Sequence, residues 1–330
     1  IIDQFMISSL SVGTIQRQIK NHLLRVIQVP TPPLNDQQKI VSFLDTETAR
    51  IDKLISKQEK LIKLLEEQRK SIISYAVTKG LNPNVPMKDS GVEWLGEVPE
   101  HWEVISIKWL SPVQRGASPR PIDDPKYFDE DGEYAWVRIA DVSASDGVLR
   151  ETTQKLSVLG SSLSVKIAPG ELFVSIAGTV GKPCISEIKA CIHDGFVYFP
   201  RLKINPKLLY RIFESETCYG GLGKWGTQLN LNTDTIGSIR VALPPQKELS
   251  LVLSFLDRET AKIDALIAEQ QRLIELLKEK RQSVISHAVT KGLNPNAPMK
   301  DSGIECLGKV PEHWEVCALR RLLSVPLANG

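Results

Sequence analysis

The 330 residues are 42% apolar and 24% charged, a composition that fits about two folded domains and excludes a disordered chain. The formal charge of +2 neither supports nor excludes nucleic-acid binding, because a basic face can sit on a near-neutral protein. Five cysteines (Cys184, Cys191, Cys218, Cys306, Cys317) form no C-x-x-C pair and no Cys/His cluster with zinc spacing, so a zinc module is excluded. Their odd count fits buried thiols in a reducing compartment. With no secretory leader and no apolar run of about 18 residues, the expected location is the cytoplasm.

Self-similarity organises the chain. Pro32-Pro33 matches Pro244-Pro245, Ser42-Phe43-Leu44-Asp45 matches Ser254-Phe255-Leu256-Asp257, and His101-Trp102 matches His313-Trp314, always 212 positions apart. Between Ala76 and Val104, 25 of 29 residues are identical to Ala288–Val316; the exceptions are Val85, Val92, Trp94 and Glu97. A period this long is a domain plus a connector. The connectors repeat, whereas residues 105–231 have almost no partner in the chain. The expected order is a C-terminal remnant of one recognition domain (1–33), a spacer (34–98), a complete domain (99–245), a second spacer (246–310) and the start of a further repeat (311–330). The chain opens on Ile1 and closes on Gly330 without natural start or stop patterns, which reads as a piece of a longer reading frame.

Within the first spacer, Asp36–Thr78 contains no Gly or Pro and is rich in Glu, Lys, Gln, Leu and Ile, which predicts one helix of about 43 residues, roughly 64 Å long. Lys79-Gly80 and then Pro83 supply the stop. Apolar residues recur every seven positions: Leu44, Ile51, Gln58, Leu65 and Ile72, with Leu54 and Leu61 as companions and Ile55 and Ile62 beside them. The second spacer repeats the row as Leu256, Ile263, Gln270, Leu277 and Val284, with Leu266 and Leu273 and, beside them, Ile267 and Ile274. Such heptads predict a coiled coil. Each helix is the cheapest partner for the other, and antiparallel pairing would hold the flanking domains at opposite ends of a rod.

The segment 99–245 reads as mixed α/β. Tyr134–Ile139, Glu171–Ile176 and Phe196–Phe199 have strand composition, Lys207–Ser215 reads as a short helix, and Gly220–Lys224 as a flexible stretch. Gly178-x-x-Gly181-Lys182 is two residues too short for a phosphate loop and is followed by Pro183, which excludes nucleotide hydrolysis here. Glu187-x-Lys189 resembles half of a nuclease metal site without the preceding Asp. His193-Asp194 has no nearby nucleophile and reads as a loop pair. No (N/D)-P-P-(Y/F) tetrad is present, which argues against an amino-methyltransferase. The remaining polar candidates for DNA contact are Arg115, Arg120, Arg138, Arg150, Lys166, Lys182, Arg201, Lys224, Gln228 and Asn230, of which Arg115, Arg120, Arg138, Lys182, Lys224, Gln228 and Asn230 are singled out. Arg suits guanine edges, Asn and Gln suit adenine edges, and Lys and Arg suit phosphates.

The phrase Lys88-Asp89-Ser90-Gly91-Val92-Glu93-Trp94-Leu95-Gly96, followed by Val98–Val104, resembles the opening of each half of the specificity subunits of type I restriction-modification systems. Gly226–Leu231 with Ile239–Pro245 is similar to the close of a target recognition domain, and the long helix after Pro-Pro is like the family's spacer. The resemblance implies a non-catalytic DNA-reading subunit: recognition domains on two antiparallel coiled-coil helices, each reading half of a split DNA site. It also implies docking of methyltransferase subunits and, through them, of restriction subunits. Any S-adenosylmethionine, ATP and magnesium would belong to those partners, leaving no cofactor in this chain. The competing reading is a coiled-coil protein scaffold with no DNA sequence preference.

Overall fold

A computed structural model describes residues 27–322 apart from 221, 223, 226, 227, 230 and 306. Strand β1 (Gln28–Thr31) precedes helix α1 (Leu34–Lys79), which runs 46 residues, about 69 Å at 1.5 Å per residue. Asp36 lies in its first turn and Lys79 in its last, each favourably placed on the helix dipole. Gly80 ends it with φ +73°, and a Cβ there would stand 3.1 Å from the Trp102 ring. A hairpin follows, β2 (Met87–Asp89) with β3 (Glu97–Pro99), and then β4 (Glu103–Ser106) and the single turn α2 (Ile107–Leu110).

The recognition domain continues with β5 (Gln114–Arg115), β6 (Tyr134–Val137), α3 (Ile139–Ala144), β7 (Val148–Leu149), β8 (Gln154–Leu156), α4 (Val158–Ser162), β9 (Val165–Ile167), β10 (Leu172–Ser175), β11 (Pro183–Ser186), β12 (Ala190–Ile192) and β13 (Phe196–Tyr198). Helix α5 (Pro206–Glu214), strands β14 (Lys224–Trp225) and β15 (Gln228–Leu229), helix α6 (Thr233–Ser238) and β16 (Arg240–Leu243) complete it. Helix α7 (Gln246–Lys291) then repeats α1, and β17 (Met299–Asp301), β18 (Lys309–Pro311) and β19 (Glu315–Ala318) repeat β2, β3 and β4.

Two mixed sheets carry the domain, β5-β13-β10-β11-β7 and β8-β6-β12-β9. Alternation along each strand divides the side chains between two cores. Phe173 and Phe196 join Val137, Ile167 and Ile192 in a layer contributed by both sheets. Leu172, Val174 and Val197 face the other way, onto Leu208, Leu209, Ile212 and Phe213 of α5 and onto Ile73, Val77, Leu253 and Leu256 of the long helices. The expected strand Tyr134–Ile139 stops at Val137, because Asp141 accepts the backbone N–H of Arg138 (2.8 Å) and caps α3 from Ile139.

The chain forms two compact units, Leu64–Ala265 and Ile1–Lys63 with Leu266–Gly330, so each long helix contributes to both. In the unit containing the recognition domain, Ile73, Ala76 and Val77 pack with Leu249–Leu256, and Arg69 pairs with Asp264. In the other, Ile40 and Leu44 pack with Ala288, and Arg281 pairs with Asp52, the same ion pair with each partner on the opposite long helix. Both contact sets run antiparallel.

From 48 to 72 of α1 the buried and half-buried positions fall at 48, 51, 55, 58, 62, 65, 69 and 72, a strict four–three alternation whose spacing extends to Leu44 and Ala76, and α7 repeats it from 260 to 281. Leu44, Ile51, Leu65 and Ile72, with Leu256, Ile263, Leu277 and Val284, occupy this seam. Leu54, Leu61, Leu266 and Leu273 do not: they are 39–45% exposed, and Ile55, Ile62, Ile267 and Ile274 take their place. One residue turns the helix by about 100°, so a leucine one position early leaves the seam.

Candidate nucleic-acid interface

The recognition domain rests on a base that the repeat builds twice. Strand β16 pairs antiparallel with β4, Arg240 opposite Ser106 and Leu243 opposite Glu103. In the other unit β1 pairs with β19 in the same register, Gln28 opposite Ala318 and Thr31 opposite Glu315. In the recognition domain the closing strand thus zips onto the domain's own opening strand, and in the other unit the closing strand that precedes α1 zips onto the opening strand that follows α7. A second contact repeats with it. The buried Trp102 indole donates to Glu248 (2.9 Å) and His101 Nε2 lies 2.7 Å from the same carboxylate. Trp314 and His313 meet Asp36 likewise, at 3.4 and 2.8 Å. Burial would raise Glu248, but hydrogen bonds from Trp102 and His101 outweigh it and hold the carboxyl below its ordinary value.

Ion pairs fix α5 to both long helices. Arg69 of α1 reaches Glu214 (2.9 Å), Arg211 reaches Glu214 and Asp257 (both 2.7 Å), and Lys207 also reaches Asp257 (3.3 Å). These ion pairs therefore tie the domain to the long helices through α5, and the loops at the sheet ends lie away from that attachment.

Four of these loops adjoin one another. Asp194 lies between two of the predicted arginines: Arg115 Nε donates to its backbone carbonyl, and Arg120 reaches its carboxylate at 3.1 Å beside Ser118 at 3.1 Å. Burial would raise the Asp194 carboxyl, but the Ser118 hydrogen bond and the Arg120 charge hold it below the usual range. Next to it Ile176 N donates to the Gly195 carbonyl. A Cβ on Gly178 would stand 2.8 Å from Ile139, so the loop after β10 touches the start of α3. Thr179 and Ser143 share a hydroxyl hydrogen bond of 2.7 Å. At the head of α3, Arg138 donates to Gln154 of β8. Arg115, Arg120 and Arg138 are all exposed on this surface, Arg120 with 78% of its side chain open.

The remaining candidates divide. Lys182 is not a free cation: its ammonium donates to the Ser143 and Ser145 carbonyls (2.9 Å each), closing the C-terminal end of α3, and burial pushes its pKa below the ordinary value. Lys224 and Gln228 lie on the hairpin β14–β15, and only their backbones are described; Asn230 falls outside the described residues, as does part of the stretch expected to be flexible. Arg150 is engaged by Asp146 (3.0 Å) and Glu187 (3.4 Å), and Lys166 stands over the Tyr134 ring at 4.5 Å.

Sequence reading missed Asp194 as the residue that gathers the arginines, and Gln154 as the partner of Arg138. Both contacts join residues from different strands, and no local pattern announces them. Neighbouring His193 is a satisfied core histidine, accepting the Gly195 N–H at Nδ1 (2.8 Å) against the Phe196 ring. Among the described residues no His/Cys/Asp/Glu group could hold a metal ion. Cys184 and Cys191 are buried thiols that burial pushes up to about 11. No described helix is long and apolar enough to cross a membrane.

Comparison with known proteins places this arrangement. A family model, the type I restriction modification DNA specificity domain, matches residues 3–64 and 99–277. Two curated relatives come from Methanocaldococcus jannaschii. The MjaX specificity subunit is 24% identical over 293 residues, covering 83% of this chain and 61% of that protein. The type I restriction enzyme MjaVIII specificity subunit is 23% identical over 307 residues, covering 88% and 67%. A chain from a structure of type I R-M complex assembly and conformational transition superposes with a TM-score of 0.62 at 18% identity, covering 79% of this chain and 61% of that one, and so shares its fold. The chain thus spans about three fifths to two thirds of the length of these relatives.

Proposed function

Because the chain belongs to the family of type I restriction modification DNA specificity domains, we propose that it is a non-catalytic subunit that reads double-stranded DNA through the loops 115–120, 138–143, 176–180 and 193–195. The observation that carries this reading is the surface on which Arg115, Arg120 and Arg138 stand exposed, on four loops linked in series by hydrogen bonds, on a domain tied by ion pairs to the long helices. Guanidinium forks pre-aligned by Asp194 and Gln154 suit bidentate contacts with guanine edges or phosphates. Phosphate contacts would give salt-dependent affinity, and base contacts the choice of sequence.

The repeated base, with β1 on β19 as β16 is on β4, supports two recognition seats per chain and hence a bipartite DNA site, with the long helices setting the separation of its halves. The proposed partners are DNA, methyltransferase subunits along the spacers, and restriction subunits through them. S-adenosylmethionine, ATP and magnesium would act on those subunits, and the complex would work in the cytoplasm. The direct test exchanges residues 105–231 for another domain of the family and maps methylated sites. The reading expects one half-site to change and the other to stay; unchanged sites would refute it.

A further inference from the structure

Helix α4 wears its large apolar side chains outward. Gly160 and Ser161 are buried, while Val158, Leu159 and Leu163 are 89%, 49% and 47% exposed. A surface turn ordinarily does the reverse, because each exposed aliphatic leaves apolar area in water. Val, Gly and Ser are also poor helix formers, so the turn is shaped by its contacts. Ser157 accepts the Gly160 N–H (3.1 Å) and donates to the Lys126 carbonyl (2.8 Å). A Cβ on Gly160 would collide with the Tyr127 carbonyl, so the turn lies flat on Pro125–Tyr127. Both of its flanks join the arginine surface. Tyr127 Oη donates to the Arg120 carbonyl (2.9 Å), and Ser164, the residue after Leu163, donates to the Ala117 carbonyl (2.8 Å). Further cations stand on the sheet whose edge strands, β8 and β9, the turn connects. Arg138 donates to Gln154, which lies opposite Trp136, and Lys166 of β9 stands over the Tyr134 ring. Arg138 and Lys166 are thus engaged by an amide and a ring, not by a carboxylate.

We propose that Val158, Leu159 and Leu163 read the C5-methyl groups of thymine in the major groove, while the neighbouring cations hold phosphates. This rests on the reading of loops 115–120 and 138–143 as a DNA surface and adds the residues that recognise a base by its apolar edge. The thymine methyl is the one apolar group that an unmodified base presents in the major groove. Guanidinium and amide side chains leave it unread, and an outward aliphatic turn is its complement. An apolar patch flanked by exposed cations suits a polyanion better than a protein, because the core of a protein interface is depleted of charged groups.

The test selects duplexes from a randomised pool with the chain assembled with a methyltransferase subunit of its family, then remakes the selected duplex with each thymine replaced singly by uracil. Uracil lacks the methyl and keeps the pairing and the O4 acceptor. At one or more positions affinity should fall about fourfold, the worth of one buried methyl group. The triple variant Val158→Ser, Leu159→Asn, Leu163→Asn should bind thymine and uracil equally there, with an unchanged salt slope, because it removes no phosphate contact. Leu159→Met with Leu163→Met, which keeps the apolar surface, should keep the preference. The proposal is overturned if the wild-type complex is indifferent to uracil at every position, or if the triple variant still prefers thymine. It is equally overturned if the folded triple variant no longer holds the methyltransferase subunit, which would make the turn a protein contact. A pool from which no sequence is enriched would sink the DNA reading and the proposal together; an enriched sequence indifferent to uracil would sink the proposal alone.

Discussion

Replacing Ile51 by Ala should cost far more stability than replacing Leu54, three residues further along the same helix, and the difference locates the seam between the long helices. Ile51 is 3% exposed and Leu54 39%. Truncating a buried Ile to Ala removes transferred surface and leaves a cavity, typically 2–5 kcal/mol, and about 3 kcal/mol is expected here. A side chain two fifths exposed has less surface to lose and can relax into solvent, so Leu54→Ala should cost under about 1 kcal/mol. With a urea slope of about 2 kcal/mol per molar, the midpoints should fall by about 1.5 M and under about 0.5 M. Circular dichroism at 222 nm follows both. Equal losses, or a larger one for Leu54→Ala, would refute the four–three assignment and return the seam to the row of Leu54, Leu61, Leu266 and Leu273.

Other outcomes follow from the same contacts. Glu214→Gln removes one of the two carboxylates that meet each of Arg69 and Arg211, whose side chains are only 20% and 11% exposed; with Asp264 and Asp257 still in place, the loss should be about 1–3 kcal/mol, read as a fall in thermal midpoint. Lys182→Met should lower stability while leaving the salt dependence of DNA binding unchanged, because its ammonium is spent on the Ser143 and Ser145 carbonyls; a reduced salt slope would restore it as a phosphate contact. Burial lowers the His193 pKa below 6.5, so the unfolded chain binds a proton there before the folded one does. Its contribution to stability is therefore full above pH 6.5 and declines as pH falls from there toward the folded pKa. His193→Asn, which can still accept the Gly195 N–H, should remove that part of the decline in a thermal-midpoint profile.

The repeat made much of the architecture legible before any coordinates. Identity across Ala76–Val104 and Ala288–Val316 gave the connectors, and the absence of Gly and Pro from Asp36 to Thr78 gave the helices. Heptad spacing identified the row through Leu44 and Leu256. It could not choose between Leu54 and Ile55, since both are aliphatic and only the phase of contact with the partner helix separates them. The break after Val137 was hidden by strand-forming composition, although Asp141 three residues past Arg138 is a capping signal that was present. The setting of Lys182 was not legible, because charge alone does not reveal a half-buried ammonium facing two carbonyls. The arginine surface was legible as residue types and illegible as a site: Arg115, Arg120 and Asp194 meet only because β5 pairs with β13 and the Asp194 loop leads into it.

The sharpest trial of the account is selection of duplexes from a randomised pool by the chain assembled with a methyltransferase subunit of its family, alongside the triple variant Arg115→Ala, Arg120→Ala, Arg138→Ala. The wild-type complex should enrich a defined sequence, and the variant should lose part of that sequence and flatten its salt dependence by about 0.9 in log–log slope for each phosphate contact removed. Enrichment of the same sequence by both complexes, with equal salt slopes, would contradict the claim that these loops read DNA.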